Sequence, residues 1–282
     1  MAIANQLRSH DHKRKIREAL LALDTQQRNE EIKEQMAEGS IRLVVRLFAM
    51  VDTGPTSGNR THGPSPLPWV DDNTSLKAVL AKHFITSSNV SGNTKFDEDF
   101  TAFNLQRLAG LEIRWTDNLA DHLRLIENDR TLCIFHHATF LRHENSNIYP
   151  EGLIQETLRT LNLLFPRNDS STQKWLRTSY SSSKHTTSPP DSALLHCDRM
   201  MSDDRRAANF TFWRDELLTL KDKFDQPRPT SMAQFWYDRR NKVQWYTFWI
   251  AVLVLCLTIF FGVVQSVEGA LQVYKAYHPT LK

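Results

Sequence analysis

The longest apolar stretch of the chain runs from Trp245 to Val264, WYTFWIAVLVLCLTIFFGVV, with no charge and only Thr247 and Thr258 as conventional polar side chains. Twenty residues is the helical length that crosses the hydrocarbon core of a bilayer. A buried helix in a soluble core seldom runs this long without a polar face, so the pattern predicts one transmembrane helix. Trp236, Tyr237, Trp245, Tyr246 and Trp249 crowd one end of it, and Tyr274 and Tyr277 mark the other. Amphipathic aromatics prefer the headgroup level. At about 1.5 Å per residue, Trp245 to Tyr274 spans roughly 44 Å, close to a bilayer with its interfaces. Thr258, Gly262, Ser266 and Ala270, each four positions after the last, form a small-residue stripe along one side of the helix. Such a stripe lets helix backbones approach closely and makes homo-oligomerisation through this face an expectation.

Upstream, the patterning is that of a water-side domain. Residues 1–53 form a charged N-terminal helical region in which Leu7, Ile16, Leu20 and Leu23 give a thin apolar seam, while Ile41 to Val51 fits a strand or a helical face about equally. Residues 54–69, GPTSGNRTHGPSPLPW, have the proline and glycine density of a linker. Residues 70–177 read as a mixed α/β domain. It opens with Leu76, Val79, Leu80 and Phe84 at helical spacing, and a second helix ends at Gly110. GLEIRW then predicts a strand, and His122–Ile126 and Thr131–Phe135 flank the turn residues Glu127 to Arg130 as a hairpin. In PEGLIQETLRTLNLLFP, Ile154, Leu158, Leu161 and Phe165 share one face of an amphipathic helix.

Residues 178–195 are too polar to build a core and predict a flexible loop. Over residues 196–230, Phe210, Trp213, Leu217, Leu220 and Phe224 recur at helical spacing, and Pro227 and Pro229 end that helix. Residues 231–282 carry a stalk, with Ser231 and Gln234 as a capping box, the membrane helix at about 245–264 and a short tail. The expected class is α+β: a small mixed α/β cytoplasmic domain, a helical stalk and one C-terminal transmembrane helix.

Charge decides orientation. Arg228, Arg239, Arg240 and Lys242 precede the span, and only Lys275 and Lys282 follow it, which predicts a cytoplasmic N-terminal domain. With 18 residues after Val264, insertion is expected around the end of synthesis, as in a tail-anchored protein. The glycosylation sequons beginning at Asn73, Asn89, Asn168 and Asn209 would be reachable only in the opposite orientation. In Asp238-Arg239-Arg240-Asn241 the arginines sit where they contact lipid phosphates.

The net charge, +3 from 35 Lys and Arg against 32 Asp and Glu, is too small to call for a nucleic-acid partner. Cys133, Cys197 and Cys256 are three, widely spaced, and make neither a disulfide framework nor a zinc pattern. The best metal candidates are His136, next to His137, with His143 and Glu144. Adjacent histidines leaving a strand point to opposite faces, so only one is expected to join His143, and surface or hydrogen-bonded histidines are the favoured reading. Asp117, Asn118, Asp121 and His122, in TDNLADH, read as turn and cap residues. The sequence holds no GxSxG elbow, Walker loop, dinucleotide fingerprint or HExxH, so no catalytic residue is assigned.

In WTDNLADHL, PEGLIQETLRTLNLLFP and WYDRRNKVQWYTFWIAVLVLCLTIFFGVVQSVEGALQVYKAYHP, together covering roughly residues 110–280, the chain resembles a large family of filamentous-fungal membrane proteins. Some members are likened to CorA magnesium transporters, whose cytoplasmic mixed α/β domain feeds a long helix into the membrane. That likeness implies Mg2+ and an oligomeric cation conduit, but CorA-type transporters have two spans and a Gly-Met-Asn signature. This chain has one candidate span and no such tripeptide. The expectation is therefore a membrane-tethered interaction or signalling module, not an enzyme, with the bilayer and an unidentified protein as partners. The alternative is a subunit of a CorA-like divalent-cation transporter.

Overall fold

The computed structural model describes residues 5–7, 9, 11–23, 29–54, 66–85, 94–182, 189–225 and 242–277. The chain is a mixed α+β protein that divides into two compact units, Met1–Arg228 and Pro229–Lys282.

In the first unit, α1 (Lys13–Leu23) packs against α2 (Glu30–Ala49). The ambiguous run from Ile41 is helical because Ala37, Ile41, Val45 and Ala49, spaced by four, all enter the core. Asn29 caps α2 by accepting the N–H of Glu31, and Met50, in the left-handed region at φ 46°, ends it. The far end of the proline-rich segment does not behave as a linker. Leu67 and Trp69 are buried, and Leu67 exchanges backbone hydrogen bonds with the chain at Asp52 and Gly54. Residues 55–65 of that segment lie outside the described residues. α1, α2 and Leu67 thus share one apolar core with the rest of the unit.

After α3 (Leu76–His83) and α4 (Ala102–Arg107), three strands form a sheet in the order β1 (Glu112–Thr116), β3 (Thr131–Phe135), β2 (Leu125–Ile126). β1 runs parallel to β3, with Glu112 opposite Thr131 and Thr116 opposite Phe135. β2 runs antiparallel to it as the short arm of the expected hairpin. Every residue of β3 is buried, as expected for a central strand with both faces covered. The hairpin turn places Glu127, Asn128 and Asp129 at φ between 55° and 61°. The Glu127 carboxylate steadies it by accepting from Arg114 at 2.6 Å and from the Thr131 hydroxyl at 3.0 Å.

α5 (Ala138–His143) and α6 (Leu153–Leu164) follow the sheet. Ile154, Leu161 and Phe165 are buried as the periodicity predicts, but Thr157 and Thr160 are buried too, so α6 is enclosed over more than its apolar face. The stretch expected to loop from Thr178 is instead helical to Ser182, as the end of α7 (Ser170–Ser182). Residues 183–188 lie outside the described residues, and the 3-10 turn Ser192–His196 brings Leu194 back into the core. α8 (Arg214–Asp225) carries Leu217, Leu220 and Phe224 inward, while Phe210 and Trp213 of the same seam lie before the helix. Phe96, Phe100, Phe210 and Phe224 form one chain of ring contacts with centroids 5.0 to 5.9 Å apart.

In the second unit, α9 spans Lys242–Tyr277. Within it Tyr246–Tyr274, 29 residues, is long and apolar enough to cross a membrane, and none of its apolar window is buried. Tyr246, Tyr274 and Tyr277 are exposed, and Trp249 is half-buried. Trp236, Arg239, Arg240, the prolines at 227 and 229 and the proposed stalk before residue 242 lie outside the described residues, and Lys242 and Trp245 fall on the first turn of α9.

Candidate functional site

The parallel pairing of β1 with β3 decides what meets at their shared end. Thr116 lies opposite Phe135, so the next residues, Asp117 and His136, leave the sheet side by side. The carboxyl ends of parallel strands are where α/β sheets gather ligands. The chain then turns at His137 (φ −77°, ψ 68°) into α5. This turn defeats the strand alternation expected of adjacent histidines. His136 Nε2 lies 3.1 Å and His137 Nε2 2.8 Å from the same Asp117 Oδ1, and the two rings stand 4.0 Å apart.

His136 is buried and His137 and Asp117 are half-buried. Burial, and then the neighbouring His137, pushes His136 down to about 4. Burial would raise the Asp117 carboxyl, but the hydrogen bond from His137 and the positive field of both rings outweigh it and hold it below the usual carboxylate range. On its other side, His136 Nδ1 accepts the backbone N–H of Asp191 at 3.2 Å. Asp191 is fixed in turn by accepting the N–H of Thr139 at 2.6 Å and that of Ala193 at 2.9 Å.

The other sequence candidates lie elsewhere. His143, at the end of α5, places Nδ1 2.8 Å from the carbonyl of Thr139 one turn back. Glu144 accepts the N–H of Ser146 at 2.6 Å. Neither has a hydrogen bond to the Asp117 group, so the pairing of His136 with His143 and Glu144 is replaced by Asp117, His136 and His137. Among the described residues this is the one group of three or more His, Cys, Asp or Glu whose ligand atoms come close enough, within 4.8 Å, to share an ion.

No protein-family model, curated protein or solved structure matches the chain. The chemistry of the site rests on its own geometry.

Proton counting decides what that geometry accepts. A neutral imidazole carries one N–H and one lone pair. The Asp191 N–H consumes the lone pair on His136 Nδ1, so the proton sits on Nε2 and is donated to Asp117. Metal-binding histidines show the opposite polarity, with the far N–H donated to an acceptor and the near lone pair given to the ion. The trio has the residue types of a metal centre and the proton arrangement of a hydrogen-bonded hub, in which one carboxylate ties the ends of β1 and β3 to α5.

The neighbouring polar residues act as caps, in line with their sequence pattern. Asn118 Oδ1 accepts from Ala120 at 3.3 Å and from the Asp52 backbone at 3.0 Å, and Asp121 pairs with Arg124 at 2.7 Å. On α9, Thr258 and Ser266 donate to the carbonyls of Val254 and Gly262 at 2.8 Å each, so these hydroxyls are satisfied within their own helix. Gly262 has open space where a Cβ would stand. Ala270, one turn beyond Ser266, completes the stripe on α9.

Proposed function

We propose that this chain is a single-pass membrane-anchored protein whose N-terminal unit faces the cytosol and works there as an interaction module. The observation that carries the anchor is α9, where an apolar window of membrane-spanning length has no part buried against protein. Removing apolar surface from water stabilises by about 25 cal/mol per Å², so a helix of this kind needs apolar cover, and a bilayer supplies it. The excess of cations before the span supports the cytosolic orientation.

Support for the interaction role comes from α2. Opposite its buried face, Ile32, Met36, Leu43 and Leu47 recur on one side of the helix, and Leu43 and Leu47 are 58% and 66% exposed. A helix apolar on both faces is suited to a partner on the outer one. Replacing Leu43 and Leu47 with Lys is expected to leave folding within about 0.5 kcal/mol of the parent while weakening association with that partner.

Alkaline carbonate extraction tests the anchor: the full chain is expected in the membrane pellet and a chain ending at residue 228 in the supernatant. Protease added to sealed microsomes is expected to digest the N-terminal unit. Release of the full chain by carbonate would remove the anchor, and a glycan at Asn168 or Asn209 would reverse the orientation.

A further inference from the structure

α2 turns Ala37, Ile41, Val45 and Ala49 into the core and leaves Ile32, Met36, Leu43 and Leu47 exposed. At about 100° per residue, these four exposed side chains leave the helix within roughly 60° of one another. They form a single apolar ridge along α2. Their spacing is 4, 7 and 4 residues, the same read from either end, and its midpoint is the Gly39–Ser40 peptide bond. Gly39 is exposed and has nothing within 4 Å of a would-be Cβ, so a neighbouring backbone can come close there.

A two-fold contact between identical subunits needs a patch that matches itself, with residue i of one copy on residue j of the other and j on i. The ridge meets this requirement when two copies of α2 run antiparallel about the Gly39–Ser40 bond. Ile32 then faces Leu47 of the second copy, Met36 faces its Leu43, and the helices cross where Gly39 has no side chain. Charge selects the same direction. Before the midpoint α2 carries Glu30, Glu31, Glu34 and Glu38 against Lys33, and after it only Arg42 and Arg46. Antiparallel copies set the acidic half of one beside the basic half of the other and oppose their helix dipoles. Parallel copies would set like halves together. The acidic half also disfavours an anionic lipid surface as the cover of the ridge.

We propose that α2 is a self-association surface, through which two copies of this chain pair as antiparallel helices about a two-fold axis at Gly39–Ser40. This rests on the reading of the outer face of α2 as a partner site, and it names the partner.

The test is crosslinking of the full chain in its membrane with a short bis-maleimide, in a Cys256→Ser background because Cys256 is exposed while Cys133 and Cys197 are buried. Ser40→Cys, beside the axis, is expected to give a crosslinked dimer, and adding Leu43→Lys with Leu47→Lys to abolish it. Ile32→Cys on one tagged copy and Leu47→Cys on another are expected to crosslink as a mixed pair. Neither is expected to crosslink when expressed alone, because the two Ile32 positions of the pair lie about 22 Å apart along the helices, at about 1.5 Å per residue. Equal yields from single and mixed pairs, as from parallel helices or chance encounters, overturn the proposal. So does the absence of any crosslink. Labelling of Leu43→Cys with a water-soluble maleimide then separates the two readings: protection keeps the ridge as a site for a different partner, and free labelling removes the interaction surface as well.

Discussion

Glu156 on α6 accepts the backbone N–H of Trp213 at 2.8 Å and so anchors the turn that leads into α8, 57 residues away. The same buried carboxylate takes the N–H of Phe212 and both the N–H and the hydroxyl of Thr211, each at 2.8 Å. These donors lie in the turn just before α8, where the carboxylate gives buried N–H groups the partner they need and stands near the partial positive charge of the helix start. Trp213 adds a bond from its indole N–H to the Thr157 hydroxyl at 2.9 Å. α6 and α8 are thus joined through polar groups at the start of α8.

Glu156→Ala is expected to cost about 2–4 kcal/mol, because it strands several buried donors. Glu156→Gln should cost less, since it keeps an acceptor. Urea unfolding of the solubilised protein measures both, and a change under about 0.5 kcal/mol for the alanine variant would show that the carboxylate is replaceable.

His122 predicts acid lability well above the carboxylate range. Its Nδ1 accepts the N–H of Phe135 at 3.2 Å, and its Nε2 lies 2.7 Å from the Thr160 hydroxyl, which itself donates to the Thr157 carbonyl at 2.6 Å. The ring is therefore satisfied when neutral, and burial pushes it down to about 3. An unfolded histidine protonates near 6.5. Between that pH and about 3 the unfolded state holds one more proton than the folded state, so stability falls as pH drops, by up to about 1.4 kcal/mol per unit for each such group. His136 adds to the slope down to about 4. The urea midpoint is expected to fall between pH 6.5 and 5, above the range of Glu38 and Asp72, whose carboxyls are held below their ordinary values. His122→Gln should lessen this dependence and leave the part due to His136, and a wild-type profile already flat over that window would refute it.

The tautomer of His136 predicts indifference to divalent transition metals. Zn2+ or Ni2+ at micromolar concentration is expected to leave Tm unchanged, because Nε2 must lose a proton before it can ligate. A rise in Tm that disappears in both His136→Gln and Asp117→Asn would establish a metal centre instead.

On α9 the hydroxyls of Thr258 and Ser266 are turned back onto their own helix, so any pairing of two such helices rests on close packing at Gly262, where nothing stands within 4 Å of a would-be Cβ. Gly262→Leu is expected to lower dimer crosslinking in membranes, and Val264→Leu, on the opposite face of the helix, to leave it unchanged. Equal yields from both would remove the stripe as an association surface.

Features set by the identity and order of neighbouring residues were legible in the sequence. The apolar length of α9, the turn between Ile126 and Thr131 and the amphipathic face of α6 each depend on spacing within one segment, so local periodicity reports them. The linker reading failed at Leu67 because its backbone partners, Asp52 and Gly54, lie outside its own segment's local pattern, on the far side of the proline-rich stretch. Tertiary structure alone brought Asp117 to His136 and His137, since Asp117 and His136 are 19 positions apart and only the parallel register of β1 on β3 puts both strand ends together. Local sequence fixes what a segment can form, and packing decides which groups are left to meet or to bind.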